Sequence, residues 1–113
     1  MPLDLSSIPI LDHHCHAFLR RETPYTALEF QGFFSEGGDA VTVAEHTPDT
    51  VFFRWAIKEL ANFLGCAPTT EAVTAARAAM PLAELAGRML RDANISTLLI
   101  DYGLPGANRM TIG

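Results

Sequence analysis

Two short apolar segments bracket this chain and constrain its fold more than any other feature. The first, Ile8-Pro9-Ile10-Leu11, runs into a polar cluster, and the second, Thr97-Leu98-Leu99-Ile100, closes on Asp101. An unbroken apolar run of this kind reads as a strand buried on both faces of a parallel sheet. Between the two segments the residues follow helical spacing, so the order is strand, helices, strand, which is a crossover unit. Such a connection is nearly always right-handed and sets the carboxyl ends of both strands on one rim. We therefore expect an α/β chain that is predominantly helical by residue count. Its first strand should cover about 7–14, its helical insertion about 26–94 and its second strand about 97–101, all within one domain spanning 1–113. Pro9 fits only near the start of a strand.

The insertion divides into four helical stretches. Thr26 to Phe34 forms a short one before Gly37-Gly38 loosens the chain. Thr47-Pro48-Asp49 reads as a helix start, with Thr47 as the cap and Pro48 at the first helical position, and Gly65 is the matching stop. Phe53, Ile57, Leu60 and Leu64 fall at helical spacing there, while Phe52, Trp55, Ala56 and Phe63 widen the stripe, which predicts a largely buried helix with its aromatics in the core. A third runs from about Thr70 to Ala79, capped by Thr69 or Thr70 with Glu71 in the first turn. The fourth, about Pro81 to Ala93, lines up Leu82, Leu85, Ala86, Met89 and Leu90 opposite Arg88, Arg91 and Asp92, and Asn94 suits the left-handed position that ends it.

Composition narrows the partners. The chain has 113 residues, of which 49% are hydrophobic, enough to build a core. A net charge of −5 with no run of Lys and Arg argues against nucleic acid and against an anionic membrane surface. No signal-peptide pattern opens the chain and no stretch approaches ~20 uninterrupted apolar residues, so the expectation is a cytoplasmic protein. Cys15 and Cys66 are too few for a disulfide framework and are read as reduced thiols, small buried residues rather than reactive ones.

The chemistry sits in Asp12-His13-His14-Cys15-His16. Side chains alternate along a strand, so Asp12, His14 and His16 should share one face while His13 and Cys15 take the other. Residues two apart on a strand lie roughly 6.5–7 Å apart, which lets two imidazoles lean onto one ion with Zn–N bonds near ~2.0–2.1 Å. His14 and His16 are thus the candidate metal ligands. A stable zinc site takes three or four ligands, and His46 and Asp101 are the only other obvious donors. His46 lies in a polar stretch that favours solvent exposure, and His13 reads as a packed or hydrogen-bonded core residue. Asp12 either orients a ligand histidine or caps the local backbone. Asp101 stands at the same rim as a second such residue around the metal, or caps a turn at Tyr102-Gly103.

An apolar strand leading into Asp-x-His-x-His, then a long helical crossover and a second buried strand ending in Asp, resembles the opening of the amidohydrolase superfamily. More narrowly, the stretch from Ile8 to Ala17, together with Leu64-Gly65-Cys66 and Arg91-Asp92-Ala93 leading into Leu98-Leu99-Ile100-Asp101, resembles the amidohydrolase-related (amidohydrolase-2) family. The resemblance implies the amino-terminal portion of a TIM (β/α)₈ barrel with a divalent metal ion, zinc first and manganese or another divalent ion as substitutes. His14 and His16 match its first-strand ligands. It implies an enzyme that hydrolyses C–N or C–O bonds of a small molecule, or decarboxylates one, through metal-activated water. The family's remaining ligands, and the acidic residue of its last strand that acts as base, have no matching positions here. No catalytic residue and no organic cofactor site is assigned for that reason. A barrel of this type takes about 250 residues, so the expectation is a fragment, inactive by itself and prone to self-association or homo-oligomer formation.

Two other readings stay open. PHP-type phosphoesterases also begin with paired histidines on a first barrel strand and would need further ligands soon after, for which His46 is the sole candidate. A non-catalytic, helical protein-interaction domain with structural histidines is the other. The string Asp12-His13-His14-Cys15 also matches the signature of protein S-palmitoyltransferases, but the membrane spans and cysteine-rich zinc domain of those enzymes are missing.

Overall fold

Pro9 has no N–H to give a strand ladder, and in the computed structural model, which describes residues 2–18, 20–21 and 23–101, the first strand starts directly after it. This strand, β1, is Ile10–His16, later at both ends than the expected 7–14. Ahead of it the chain turns, with Ile8 N–H donating to Leu5 C=O at 3.0 Å. The strand persists through Cys15 and His16 because its neighbour extends equally far. That neighbour, β2 (Ile95–Asp101), runs parallel to β1. It begins two residues before the expected 97 because Asn94, at φ 54°, ends the preceding helix at once and its C=O receives the Ile10 N–H at 2.8 Å.

The helices between the strands are α1 (Ala27–Gly32), α2 (Val51–Leu64), α3 (Thr70–Ala78) and α4 (Leu82–Asp92). The described chain is 51% helical with two parallel strands, an α/β composition. Among the described residues, those up to 21 together with 81–101 form one compact unit, and 23–80 form a second.

The first unit contains β1, α4 and β2. Leu85 and Ala86 of α4 are buried, and α4 packs along β2. Leu98 and Ile100 are half-buried while Leu99 and Asp101 between and after them are exposed, the alternation of a strand covered on one face. Ile10, Leu11 and Leu99 are each about half exposed in this two-stranded sheet.

The second unit is a helical cluster around Phe30, Phe53, Ile57, Ala61 and Val73, with Tyr25, Phe34, Leu60, Leu64 and Cys66 packed against it. Its helix ends follow local chemistry. Thr26 and Glu29 form a reciprocal capping box at α1, with Glu29 N–H reaching Thr26 Oγ1 and Thr26 N–H reaching Glu29 Oε2. Thr69 Oγ1 accepts the Ala72 N–H at the start of α3. Gly65 ends α2 at φ 71°, a left-handed position a side chain would strain. The α2 start differs from expectation. Thr47-Pro48-Asp49 is a 3₁₀ turn preceded by a π-helical turn over Thr42–His46, and Thr50, not Thr47, caps α2 by accepting the Phe53 N–H at 3.2 Å. Thr50 has extended backbone, which breaks the helical run after the 3₁₀ turn and starts α2 afresh at Val51.

The α2 aromatics also divide otherwise than expected. Phe53 is 3% exposed and Phe63 half-buried, yet Phe52 and Trp55 are 59% and 58% exposed. At about 100° per residue, Phe53, Ala56, Ile57, Leu60, Ala61 and Leu64 complete the inner stripe without them.

Candidate metal site at the end of the first strand

Five polar residues in a row on one strand would ordinarily alternate between its faces, but β1 does not keep step with β2. Asp12 pairs with Leu98 and Cys15 with Ile100, so three residues of β1 advance against two of β2. The extra residue falls at His13-His14, an irregularity of the β-bulge kind. Because Leu98 and Ile100 share a face of β2, Asp12 and Cys15 share a face of β1, and both are half-buried. The expected parity therefore fails for Asp12, which sides with Cys15 and not with the histidine pair.

His14 and His16 do stand together. Their ring centroids are 6.2 Å apart with planes inclined at 59°, and both side chains are exposed. Two imidazoles sharing one tetrahedral ion through ~2.1 Å bonds would have centroids roughly 5 Å apart, so about 1 Å of closure by side-chain rotation makes the pair bidentate. The two rings therefore fit a divalent ion as donors of half a ligand set. Among the described residues no group of three or more His, Cys, Asp or Glu side chains is arranged to hold a metal ion.

The neighbours take up distinct positions. Asp12 Oδ1 accepts the His14 backbone N–H at 3.0 Å, the local capping geometry. Asp101 pairs in register with His16 at the carboxyl ends of the two strands, so the parallel arrangement brings these two onto one rim, and Asp101 is exposed there. The turn it was expected to cap at Tyr102-Gly103 lies outside the described residues. His13 is exposed, contrary to the expectation of a packed core residue, because it sits in the register irregularity and outside the half-buried set of Asp12 and Cys15. His46 is exposed at the end of the π-helical turn and belongs to the helical unit.

Cys15 is a subdued thiol. Partial burial pushes its pKa above the ordinary 9.0, and the negative charge of Asp12 adds to the rise. Its Sγ lies 3.7 Å from Leu99 C=O, a weak donor contact to the adjacent strand. Both causes favour the protonated thiol at neutral pH, where it is a poor nucleophile.

The helical unit has an open depression of about 340 Å³ between the 3₁₀ turn and the start of α3, bordered by Pro48, Arg54, Pro68 and Glu71. Arg54 is already engaged there, its guanidinium 2.6 Å from Asp49 Oδ1. Among the described residues no helix is long and apolar enough to cross a membrane. Comparison of the chain with protein-family models, with curated proteins and with solved structures finds no match.

Proposed function

We propose that this chain is the opening segment of a metal-dependent, amidohydrolase-like enzyme with a (β/α)₈ barrel, in which His14 and His16 supply two imidazoles to a divalent ion, zinc in the first place. The observation that carries this reading is the approach of the two rings to 6.2 Å at the carboxyl end of a parallel strand. Ligand sites of parallel α/β sheets lie at that end. The ion would supply Lewis-acid activation of a carbonyl group and of water. His14 and His16 would hold it, Asp12 would fix the backbone at His14, and Asp101 would stand beside His16 on the rim. A two-stranded sheet with Ile10, Leu11 and Leu99 half exposed supports an incomplete barrel, since further strands and helices would cover those side chains.

The substrate class that follows is a small molecule bearing an amide, ester or lactone carbonyl, or a carboxylate that can be lost. The test is metal content, and turnover of a panel of such compounds, in the longer protein that this reading makes the chain a segment of, loaded with zinc or manganese. His14→Ala and His16→Ala are expected to lose both bound metal and turnover, and turnover untouched by both substitutions contradicts the reading.

A further inference from the structure

Two imidazoles share one ion only if each turns a bare nitrogen toward it, and a neutral ring has one bare nitrogen and one that carries the proton. Whatever accepts the N–H of the second nitrogen therefore decides which atom meets the metal. A ring that meets only water is held in neither tautomer.

The register of the sheet offers such an acceptor to one ring of the pair. Cys15 pairs with Ile100 and His16 with Asp101. Successive side chains of a strand take opposite faces, so Cys15 and Ile100, both half-buried, share one face, while His16 and Asp101, both exposed, share the other. Neighbouring strands stand about 4.8 Å apart, and the aspartate side chain is short. Rotation about its own side-chain bonds carries the carboxylate to the near nitrogen of the His16 ring, Nδ1, but leaves it short of an ion held beyond Nε2. Among the described residues no third His, Cys, Asp or Glu side chain is arranged as a ligand with the pair, so Asp101 acts on the ring and not on the ion. Asp12, the other carboxylate at this end of β1, is placed differently, on the face of Cys15 and accepting the His14 backbone N–H.

We infer that Asp101 is a positioning residue for His16, its carboxylate accepting the Nδ1–H of the ring and leaving Nε2 bare for the ion. Carboxylates placed behind ligand histidines in this way fix the tautomer, orient the ring and raise its basicity. The inference rests on the pair's binding a divalent ion, as in the functional reading above, and adds the atom of His16 that binds and the residue that selects it. Asp101 takes no coordination position, so those of water and of a substrate carbonyl stay open.

The longer protein that the functional reading makes this chain a segment of is labelled with ¹⁵N-histidine and freed of metal. Its ring nitrogens are read by NMR at about pH 8.5, where imidazoles are neutral, with the His16 signals assigned by their loss in His16→Ala. Zinc affinity is measured in parallel by competition with a chelator. The parent should carry its His16 proton on Nδ1. Asp101→Asn, which keeps an acceptor oxygen without the charge, should retain that tautomer and most of the affinity. Asp101→Ala should lose the tautomer preference and bind zinc about 10- to 100-fold more weakly, with unchanged far-ultraviolet circular dichroism, since the side chain is exposed. A His16 proton on Nε2 in the parent overturns the inference, and so does an Asp101→Ala protein with the parent's tautomer or the parent's affinity. The functional reading stands in each of those cases as long as zinc binding still requires His14 and His16, whereas a parent that binds no zinc overturns both.

Discussion

The carboxylate of Asp12 holds the backbone N–H of His14 at 3.0 Å, at the place where β1 gains a residue over β2. That bond ties the register irregularity to the orientation of the histidine pair. Without the irregularity, alternation would put Asp12 on the face of His14 and His16. With it, the carboxylate lies beside Cys15 and still reaches the main chain of His14. Asp12→Ala should lower stability by about 1 kcal/mol through loss of this one hydrogen bond, read as a shift in the urea midpoint. Asp12→Asn, which keeps an acceptor oxygen, should lose less. An Asp12→Ala protein as stable as the parent would show that the irregularity does not depend on the carboxylate.

Cys15 offers a pH-dependent readout of the same place. Its thiol is held above the ordinary 9.0 first by burial and then by Asp12, so the folded chain favours the protonated form. The resulting stabilisation is present below the unfolded pKa and is lost as pH rises through the folded one. Alkylation of Cys15 by iodoacetamide at about pH 8 should therefore be slower in the folded chain than in urea, with a rate profile displaced to higher pH. Asp12→Asn should move the profile back only part of the way, since burial is the larger cause. Equal rates folded and unfolded would contradict this account.

Asn94 joins the end of α4 to the start of the sheet. Its backbone is left-handed, its C=O takes the Ile10 N–H, and its Nδ2 donates to Ser6 C=O at 3.2 Å and Ile8 C=O at 2.7 Å. Asn94→Gly keeps the conformation and loses the side-chain bonds, for about 1 kcal/mol. Asn94→Ala adds the left-handed penalty and should lose about 2 kcal/mol in total. If alanine and glycine prove equivalent in chemical denaturation, the left-handed conformation is not what holds the junction.

The parts of the fold written in local chemistry were legible from residues alone. Gly65 as a left-handed stop, Thr69 as a cap, Asn94 as the end of α4 and the parallel partnership of the two apolar segments all follow from what one residue or one short run can do in its own backbone. Boundaries set by pairing were not. The extent of β1 depends on how far β2 runs beside it, and the start of α2 depends on two preceding turns of other pitch, neither of which leaves a periodic mark. In the candidate site, the nearness of His14 and His16 came from their spacing, whereas the siding of Asp12 with Cys15 came from a register slip that strict alternation cannot foresee. Phe52 and Trp55 depart from expectation for a related reason. Hydrophobicity does not ensure burial where the inner stripe of α2 is complete without them, and their helical phase, outside that stripe, is the available sign.

The central claim is that His14 and His16 act as a pair toward one divalent ion, and the chain's four histidines allow it to be tested residue by residue. Zinc is titrated into uniformly ¹⁵N-labelled protein while the imidazole nitrogens are followed by NMR. The account predicts that the ring signals of His14 and His16 shift together and saturate at the same zinc concentration, while those of His13 and His46 stay where they are. Coordination through His13 or His46, or an unchanged spectrum at saturating zinc, would contradict it.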